Sequence, residues 1–173
     1  MNIQYKELEK NDARKLINLR ISVLNTDPYS FSITEDEETQ ASEEVVQSAI
    51  ESYANSPNKI MLGAWMDKEL VGVVGVERFE NKIENHKARI WGPYVNKTSR
   101  GKGIGYYLIQ KARDFSFSLR GIEIVSFDTS SESKSAISLF KKLGFQETGV
   151  LSRALKFDGK YADLLFMQMS KPT

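Results

Sequence analysis

The segment Arg100-Gly101-Lys102-Gly103-Ile104-Gly105 contains the residue types best suited to a chemical task. Three of the five residues 101–105 are glycine, and the segment leads into an amphipathic helix predicted over roughly 104–119. Glycine lacks a Cβ atom, so the backbone of this loop can approach a ligand closely. The following helix points unpaired N–H groups and the positive end of its dipole back at the loop. The pattern predicts a site for a phosphate or pyrophosphate, and a plain tight turn with basic residues is the alternative.

Cysteine and histidine usage excludes several other chemistries. The 173 residues include no cysteine and a single histidine, His86. Thiolate metal sites, a cysteine nucleophile and a Ser-His-Asp triad are therefore not expected, and we predict no metal site. The net charge of +1 gives no electrostatic reason to expect nucleic acid or an anionic membrane as a partner.

Length and composition are those of an ordinary globular domain. With 40% hydrophobic and 27% charged residues, the chain can bury one core, so we expect a single domain over residues 1–173. The N-terminus lacks the apolar centre of a signal peptide, and no run of about 18 apolar residues occurs. Together with the absence of cysteine, these features predict a cytoplasmic protein.

Hydrophobic periodicity predicts the order of helices and strands. That order is a strand, two helices, three strands, a long helix, a strand, a short helix and two final strands, which indicates a single α+β domain. The polar, acidic residues 29–40 indicate a loop between the first two helices. Gly92 and Pro93 interrupt the strand before the glycine loop, and because proline cannot donate to a ladder, that strand should bulge or splay. Residues 122–128 indicate a buried central strand.

Two motifs within residues 91–145 resemble the acetyl-CoA-binding core of the GNAT acyltransferase superfamily. The Gln/Arg-x-x-Gly-x-Gly/Ala motif of that family is met by Arg100, Gly103 and Gly105. The second signature has an Asn, an Ala three residues later, then an aromatic residue and Leu-Gly-Phe. The corresponding residues here are Ser133, Ala136, Phe140 and Leu143-Gly144-Phe145. The order of elements is also similar over nearly the whole chain, and the runs 27–31 and 158–163 resemble one broad bacterial branch of the family.

The resemblance implies both a fold and an activity. The implied fold is a mixed, mostly antiparallel sheet of six or seven strands with about four helices, splayed between the strand before the glycine loop and the strand after its helix. The implied reaction is transfer of an acetyl group from acetyl-CoA to a primary amine of a small molecule by direct attack. The alternatives are a protein N-terminal or lysine acetyltransferase and a non-catalytic acyl-CoA-binding module. The expected partner is the amine substrate, and a homodimer is left open.

The expected acetyl-CoA site combines the glycine loop with the splayed strand. Backbone N–H groups from Lys102 to Gly105 are expected to hold the pyrophosphate, and Arg100 adds positive charge at the same site. The splay leaves backbone groups of Tyr94 and Val95 able to pair with the amides of the pantetheine arm, like an added strand. The N–H of Val95 is also suited to polarise the thioester carbonyl. Ordinary strand packing is the alternative role for these two residues.

Phe140 and Ser133 are departures from the family pattern. Many family members have a Tyr at the position of Phe140, and that Tyr gives a proton to the leaving thiolate. Phe140 is expected to pack on the pantetheine, but it has no hydroxyl. Tyr106, Tyr107, Tyr161 or water would then supply the proton. Ser133 offers a hydroxyl that can bond the pantetheine with less reach than the usual Asn.

A proton acceptor is expected near the amine, because only a neutral amine can attack. Asp128 is the main candidate, since it lies at the C-terminal end of the predicted central strand and family members place an acid at the equivalent spacing. The alternative role for Asp128 is to cap the turn with Thr129 and Ser130. Glu77 is the second candidate, and a solvated strand end is its alternative.

Acidic residues are concentrated where the family forms its acceptor site, in the first helices, their loop and the last hairpin. These acids and their aromatic neighbours are Tyr29, Phe31, Glu35, Asp36, Glu37, Glu38, Asp158, Tyr161 and Asp163. An acidic rim would favour a cationic substrate such as a polyamine, an aminoglycoside or a peptide amine. A solvated acidic loop is the alternative.

Overall fold

One sheet of seven strands runs through the protein, which a computed structural model describes over residues 2–29 and 34–172. The strands are β1 (Ile3–Glu7), β2 (Lys59–Met66), β3 (Glu69–Arg78), β4 (Lys87–Val95), β5 (Ile124–Ser130), β6 (Gln146–Phe157) and β7 (Lys160–Ser170). Their order across the sheet is β1-β2-β3-β4-β5-β7-β6. Each described pair is antiparallel except β4 and β5, which run parallel. The predicted mixed, mostly antiparallel sheet is confirmed. Phe31 lies outside the described residues.

Five α-helices occur within the described ranges, one more than the sequence predicts. They are α1 (Ala13–Leu24), α2 (Glu35–Thr39), α3 (Glu43–Ala54), α4 (Ile104–Ser118) and α5 (Lys134–Lys142). The additional helix is α2, which lies in the segment predicted as a loop. The Thr34 hydroxyl accepts from the Glu37 N–H, and the Glu37 carboxylate accepts from the Thr34 N–H at 2.6 Å. This Thr-x-x-Glu capping box fixes the start of a short helix that polar composition alone does not predict.

The sheet separates two hydrophobic clusters. On one face, α4 and α5 cover a cluster that includes Phe140. On the other face, α1 and α3 cover a cluster that includes Tyr94. Val73 and Val74 are neighbours in β3 but belong to different clusters, as expected for a strand that is buried on both faces. None of the helices in the described part of the chain is long and apolar enough to cross a membrane.

The strands β4 and β5 diverge after a short parallel pairing. The pairing covers residues 87–89 of β4 and 124–126 of β5, and no described pair extends it. On its other side, β4 has a bulge against β3, because Val73 pairs with Tyr94 while Gly75 pairs with Trp91. The two residues within the bulge are Gly92, whose φ is 56°, and Pro93, which has no N–H to donate. The splay predicted from these residues is confirmed, and it opens a gap between the C-terminal ends of two central strands.

The tight contact between Gly75 and Trp91 predicts a sharp difference between two glycine substitutions. A Cβ at Gly75 would overlap the Trp91 ring, whereas a Cβ at Gly149 would meet no described atom within 4 Å. We expect Gly75→Ala to destabilise the fold by about 1–3 kcal/mol, because the ring must move. That loss corresponds to a melting temperature lower by roughly 2–10 °C for a chain of this size. Gly149→Ala should melt like the wild type, and equal melting temperatures for the two variants would contradict the packing.

Candidate active site

A cavity of about 340 Å³ lies in the gap between β4 and β5. Its walls come from Asp27 after α1, residues 92–95 of β4, the glycine loop, the first turns of α4, residues 127–129 of β5, and α5. It brings together most of the residues predicted to bind acetyl-CoA and the predicted base. The predicted residues that line it are Tyr94, Val95, Arg100, Gly101, Gly103, Ile104, Gly105, Asp128 and Ser133.

Four predicted site residues are placed elsewhere by the structure. Lys102 is exposed and is not part of the cavity wall. Phe140 is fully buried, with its ring stacked at 3.7 Å on Phe127, so Phe127 and not Phe140 faces the cavity. Tyr161 lies on β7, where its ring is 4.0 Å from the Arg153 guanidinium. Glu77, the fourth, is described below.

The glycine loop has the geometry of an anion site. Gly101 and Gly103 have φ values of 77° and 78°, in the left-handed region that favours glycine. Gly103 is the N-cap of α4, and its carbonyl accepts the Tyr107 N–H at 3.1 Å to close the first turn. Helix geometry leaves the N–H groups of Ile104 and Gly105 without an intrahelical partner, at the positive end of the helix dipole. These donors lie at the cavity wall.

Arg100 connects the glycine loop to the splayed strand. Its Nε donates to the Val95 carbonyl at 3.0 Å, and its guanidinium also interacts with the Tyr94 hydroxyl. Part of the guanidinium therefore fixes the end of β4 against the loop. A contact between Arg100 and the ligand phosphates stays a prediction.

Tyr94 and Asp27 form a polar corner of the cavity that the sequence does not reveal. Tyr94 is buried, and burial raises the pKa of its hydroxyl well above the usual value. Arg100 opposes this rise in the pKa, and the carboxylate of Asp27 adds to it. Asp27 is not singled out as a site residue from the sequence. The run 27–31, noted for its resemblance to a bacterial branch, is the one signal that could have identified it.

Asp128 is held by an arginine that the sequence analysis did not single out. The Arg89 side chain donates to Oδ1 of Asp128 through Nη2 at 2.9 Å and through Nε at 3.1 Å. Both bonds go to Oδ1, and no described residue hydrogen-bonds to Oδ2. The turn after β5 is closed without Asp128, because the Ser130 hydroxyl accepts the Glu132 N–H at 3.1 Å. The alternative role of Asp128 as a turn cap is therefore not what the structure shows.

Glu77 has a partner outside the cavity. Its carboxylate accepts a hydrogen bond from the Tyr53 hydroxyl at 2.9 Å. Burial, together with this bond, raises the pKa of Tyr53 well above its usual value. Glu77 pairs in register with Arg89 on the neighbouring strand, but it does not line the cavity. Its position favours a structural role in joining α3 to the sheet.

Comparison with known protein families identifies the architecture. The model of the acetyltransferase (GNAT) family matches residues 23–145, which include the glycine loop, the splayed strand and Asp128. The chain belongs to the GNAT family. The resemblance on which the expected fold and donor rest is thereby confirmed.

Individual GNAT relatives are similar over most of this chain. A spermidine N(1)-acetyltransferase of Vibrio cholerae is 23% identical over 159 residues, which cover 92% of this chain and 87% of the relative. A GNAT acetyltransferase structure from Streptococcus pneumoniae has a TM-score of 0.88 at 22% identity and covers 98% of this chain and 100% of that one. A phosphinothricin acetyltransferase from Sinorhizobium meliloti, solved with acetyl-CoA, has a TM-score of 0.82 at 19% identity, covering 100% and 94%. The chain spans about half the length of two further curated relatives, at 32% and 33% identity.

Acetyl-CoA is the acyl donor of GNAT enzymes, and the cavity fits it. The left-handed glycines and the first N–H groups of α4 suit a pyrophosphate. The gap between β4 and β5 suits the narrow pantetheine arm, whose amides can pair with exposed strand backbone. Among the residues that the structure describes, no group of three or more His, Cys, Asp or Glu side chains could hold a metal ion.

The role of the glycine loop can be separated from simple backbone strain. Gly103→Ala and Gly121→Ala each place a Cβ at a residue with positive φ, at 78° and 82°. Each should cost roughly 1–2 kcal/mol of stability through the same strain. Only Gly103→Ala should also raise the Kd of acetyl-CoA, by about tenfold or more, because it displaces the N–H donors at the cavity wall. Isothermal titration calorimetry measures the Kd, and equal affinities of the two variants would locate the phosphate site elsewhere.

Proposed function

We propose that this protein transfers the acetyl group of acetyl-CoA to a primary amine of a small molecule. One observation carries the proposal. A single cavity contains an anion-binding helix terminus, the splayed end of a strand and a carboxylate at the end of the next strand. These are the groups needed to bind a thioester cofactor, orient its carbonyl and accept a proton from the attacking amine.

Backbone groups bind and orient the donor in this proposal. The N–H groups of the glycine loop and of the first turn of α4 bind the pyrophosphate. Backbone groups of Tyr94 and Val95 pair with the pantetheine, and the Val95 N–H polarises the thioester carbonyl. Acetyl-CoA supplies the acetyl group, whose carbonyl carbon is attacked by the neutral amine while the C–S bond breaks.

Asp128 accepts the proton of the attacking amine, directly or through water. An alkyl amine with a pKa near ~10.4 is mostly protonated at neutral pH, so a positioned acceptor increases the reactive fraction at the site. Arg89 holds Oδ1 of Asp128 and thereby leaves Oδ2 for the substrate. Of the three tyrosines considered as donors to the leaving thiolate, only Tyr106 lines the cavity among the described residues. We therefore assign that proton to Tyr106 or to water.

The acceptor side favours a small amine over a protein. The Tyr29 hydroxyl donates to the Lys160 carbonyl at 3.2 Å, and its ring lies edge-on to Phe157 at 6.2 Å. This contact joins the chain after α1 to the tip of the β6–β7 hairpin. In this proposal the contact narrows the acceptor side, which suits a small molecule better than a polypeptide segment. The relative from Vibrio cholerae that is named for spermidine supports the same choice.

A panel of amines tests the proposed reaction. Release of thiol from acetyl-CoA is measured with spermidine, an aminoglycoside and a short peptide with a free N-terminus. We expect turnover with one of the small amines and little with the peptide. Turnover with the peptide alone would indicate a protein acetyltransferase. Tight binding of acetyl-CoA without thiol release for any amine would indicate a non-catalytic binding module.

The role of Asp128 is tested by a matched pair of substitutions. Asp128→Asn should lower kcat by roughly 10²- to 10⁴-fold, with little change in acetyl-CoA affinity, because only proton transfer is impaired. The control is Asp114→Asn, since Asp114 also pairs with an arginine, Arg113 at 2.7 Å, but lies away from the cavity. The control should keep wild-type kcat. An unchanged rate and pH profile for Asp128→Asn would assign proton transfer to water.

A further inference from the structure

Three of the six acidic residues of the predicted rim are engaged in holding the fold. Hydrogen bonds from Thr34 lower the pKa of Glu37, which forms the capping box of α2. Glu38 is buried and pairs with Arg20 at 3.5 Å. On the hairpin, Oδ1 of Asp163 accepts the Arg153 N–H at 2.8 Å. These three carboxylates already have partners, so they are less available to a cationic substrate.

Asp27 differs from these acids in position and in pairing. Asp27 lies three residues after the end of α1, and it lines the cavity together with Asp128. Within residues 2–29 and 34–172, the Asp27 carboxylate makes no ion pair and no hydrogen bond. It acts electrostatically on the Tyr94 hydroxyl, whose pKa it raises. Asp128, by contrast, is paired with Arg89. A carboxylate that is partly removed from water without a cation is unfavourable, so Asp27 is the group in the cavity with most to gain from a positive charge.

A second polar group in the same cavity also lacks a partner. Ser99 is only 1% exposed, and within the described part of the chain its hydroxyl has no hydrogen-bond partner. It lies on the turn after β4, on a different segment from Asp27, and it lines the cavity. Buried hydroxyls are almost always hydrogen-bonded, so Ser99 is a second unsatisfied group beside the cavity. Its Oγ has less than 1 Å² of accessible surface, so a ligand in the cavity would contact Asp27 and not this hydroxyl.

We propose that Asp27 binds a second positive charge of the acceptor, so that the enzyme prefers diamines to monoamines and to amino acids. This inference rests on the proposed acetyl transfer. The reacting nitrogen loses one proton to Asp128 or water and forms the C–N bond as the C–S bond breaks. It therefore cannot keep a charge for Asp27 to hold. The charge that Asp27 binds belongs to a second ammonium group, which stays protonated throughout the reaction.

Three acceptors of similar length and different charge test the preference. They are 1,4-diaminobutane, n-pentylamine and 4-aminobutyrate, in which the group opposite the reacting amine is cationic, neutral or anionic. For the wild type, kcat/KM for the diamine should exceed that for pentylamine by about 10- to 100-fold, as expected for a charge-assisted contact. The value for 4-aminobutyrate should be lower still. Asp27→Asn should bring the diamine and pentylamine to within about threefold of each other.

Two controls keep the result interpretable. Asp36→Asn removes an exposed acid of α2 that does not line the cavity, and it should keep the wild-type preference. The rise in melting temperature caused by acetyl-CoA should be the same in Asp27→Asn and in the wild type, which shows that the variant folds and binds the donor.

The outcomes distinguish failure of this inference from failure of the proposed acetyl transfer. Acetylation of all three amines without preference, or a preference that survives Asp27→Asn, overturns the role of Asp27 and leaves acetyl transfer to small amines in place. Binding of acetyl-CoA with no acetylation of any amine by the wild type overturns both.

Discussion

Three residue pairs hold β4 to β5, and beyond Arg89 and Ser126 the two parallel strands separate. Parallel strands inside a sheet normally continue their ladder, because unpaired backbone groups away from water are costly. Here Gly92 and Pro93 form a bulge in β4 against β3, and the last residues of β4 lack a β5 partner among the described pairs. The cavity, the exposed strand backbone and the position of Asp128 at its edge all follow from that separation.

Local features were the ones that the sequence could predict. The glycine loop was identified because positive φ values and a helix start are encoded within a few residues, and Pro93 marked the splay for the same reason. The Arg89–Asp128 pair joins residues 39 positions apart and depends on the register of two strands, so no local pattern reveals it. Asp27 enters the cavity only through the packing of α1. Phe140 has the spacing of a cavity residue, but Phe127 lies over it and leaves it in the core.

The two carboxylates of the cavity, Asp128 and Asp27, differ in how firmly their neighbours hold them. Asp128 is oriented by an arginine on the neighbouring strand, which is the kind of rigid support that proton transfer requires. Asp27 has no such support and stands at the end of a helix, before the segment that reaches the β6–β7 hairpin. In the proposed mechanism, the fixed carboxylate of Asp128 serves proton transfer and the less constrained carboxylate of Asp27 serves recognition of the acceptor.

The link that Arg100 makes between the glycine loop and the end of β4 bears on how the two substrates affect each other. The same guanidinium interacts with Val95, beside the expected donor, and with Tyr94, beside Asp27 on the acceptor side. Under the proposed function, phosphate bound at the loop would act on Arg100 and through it on the end of β4, where Tyr94 and Val95 lie. Such a link would couple the affinities for the two substrates, and thermodynamic linkage would make the effect equal in both directions.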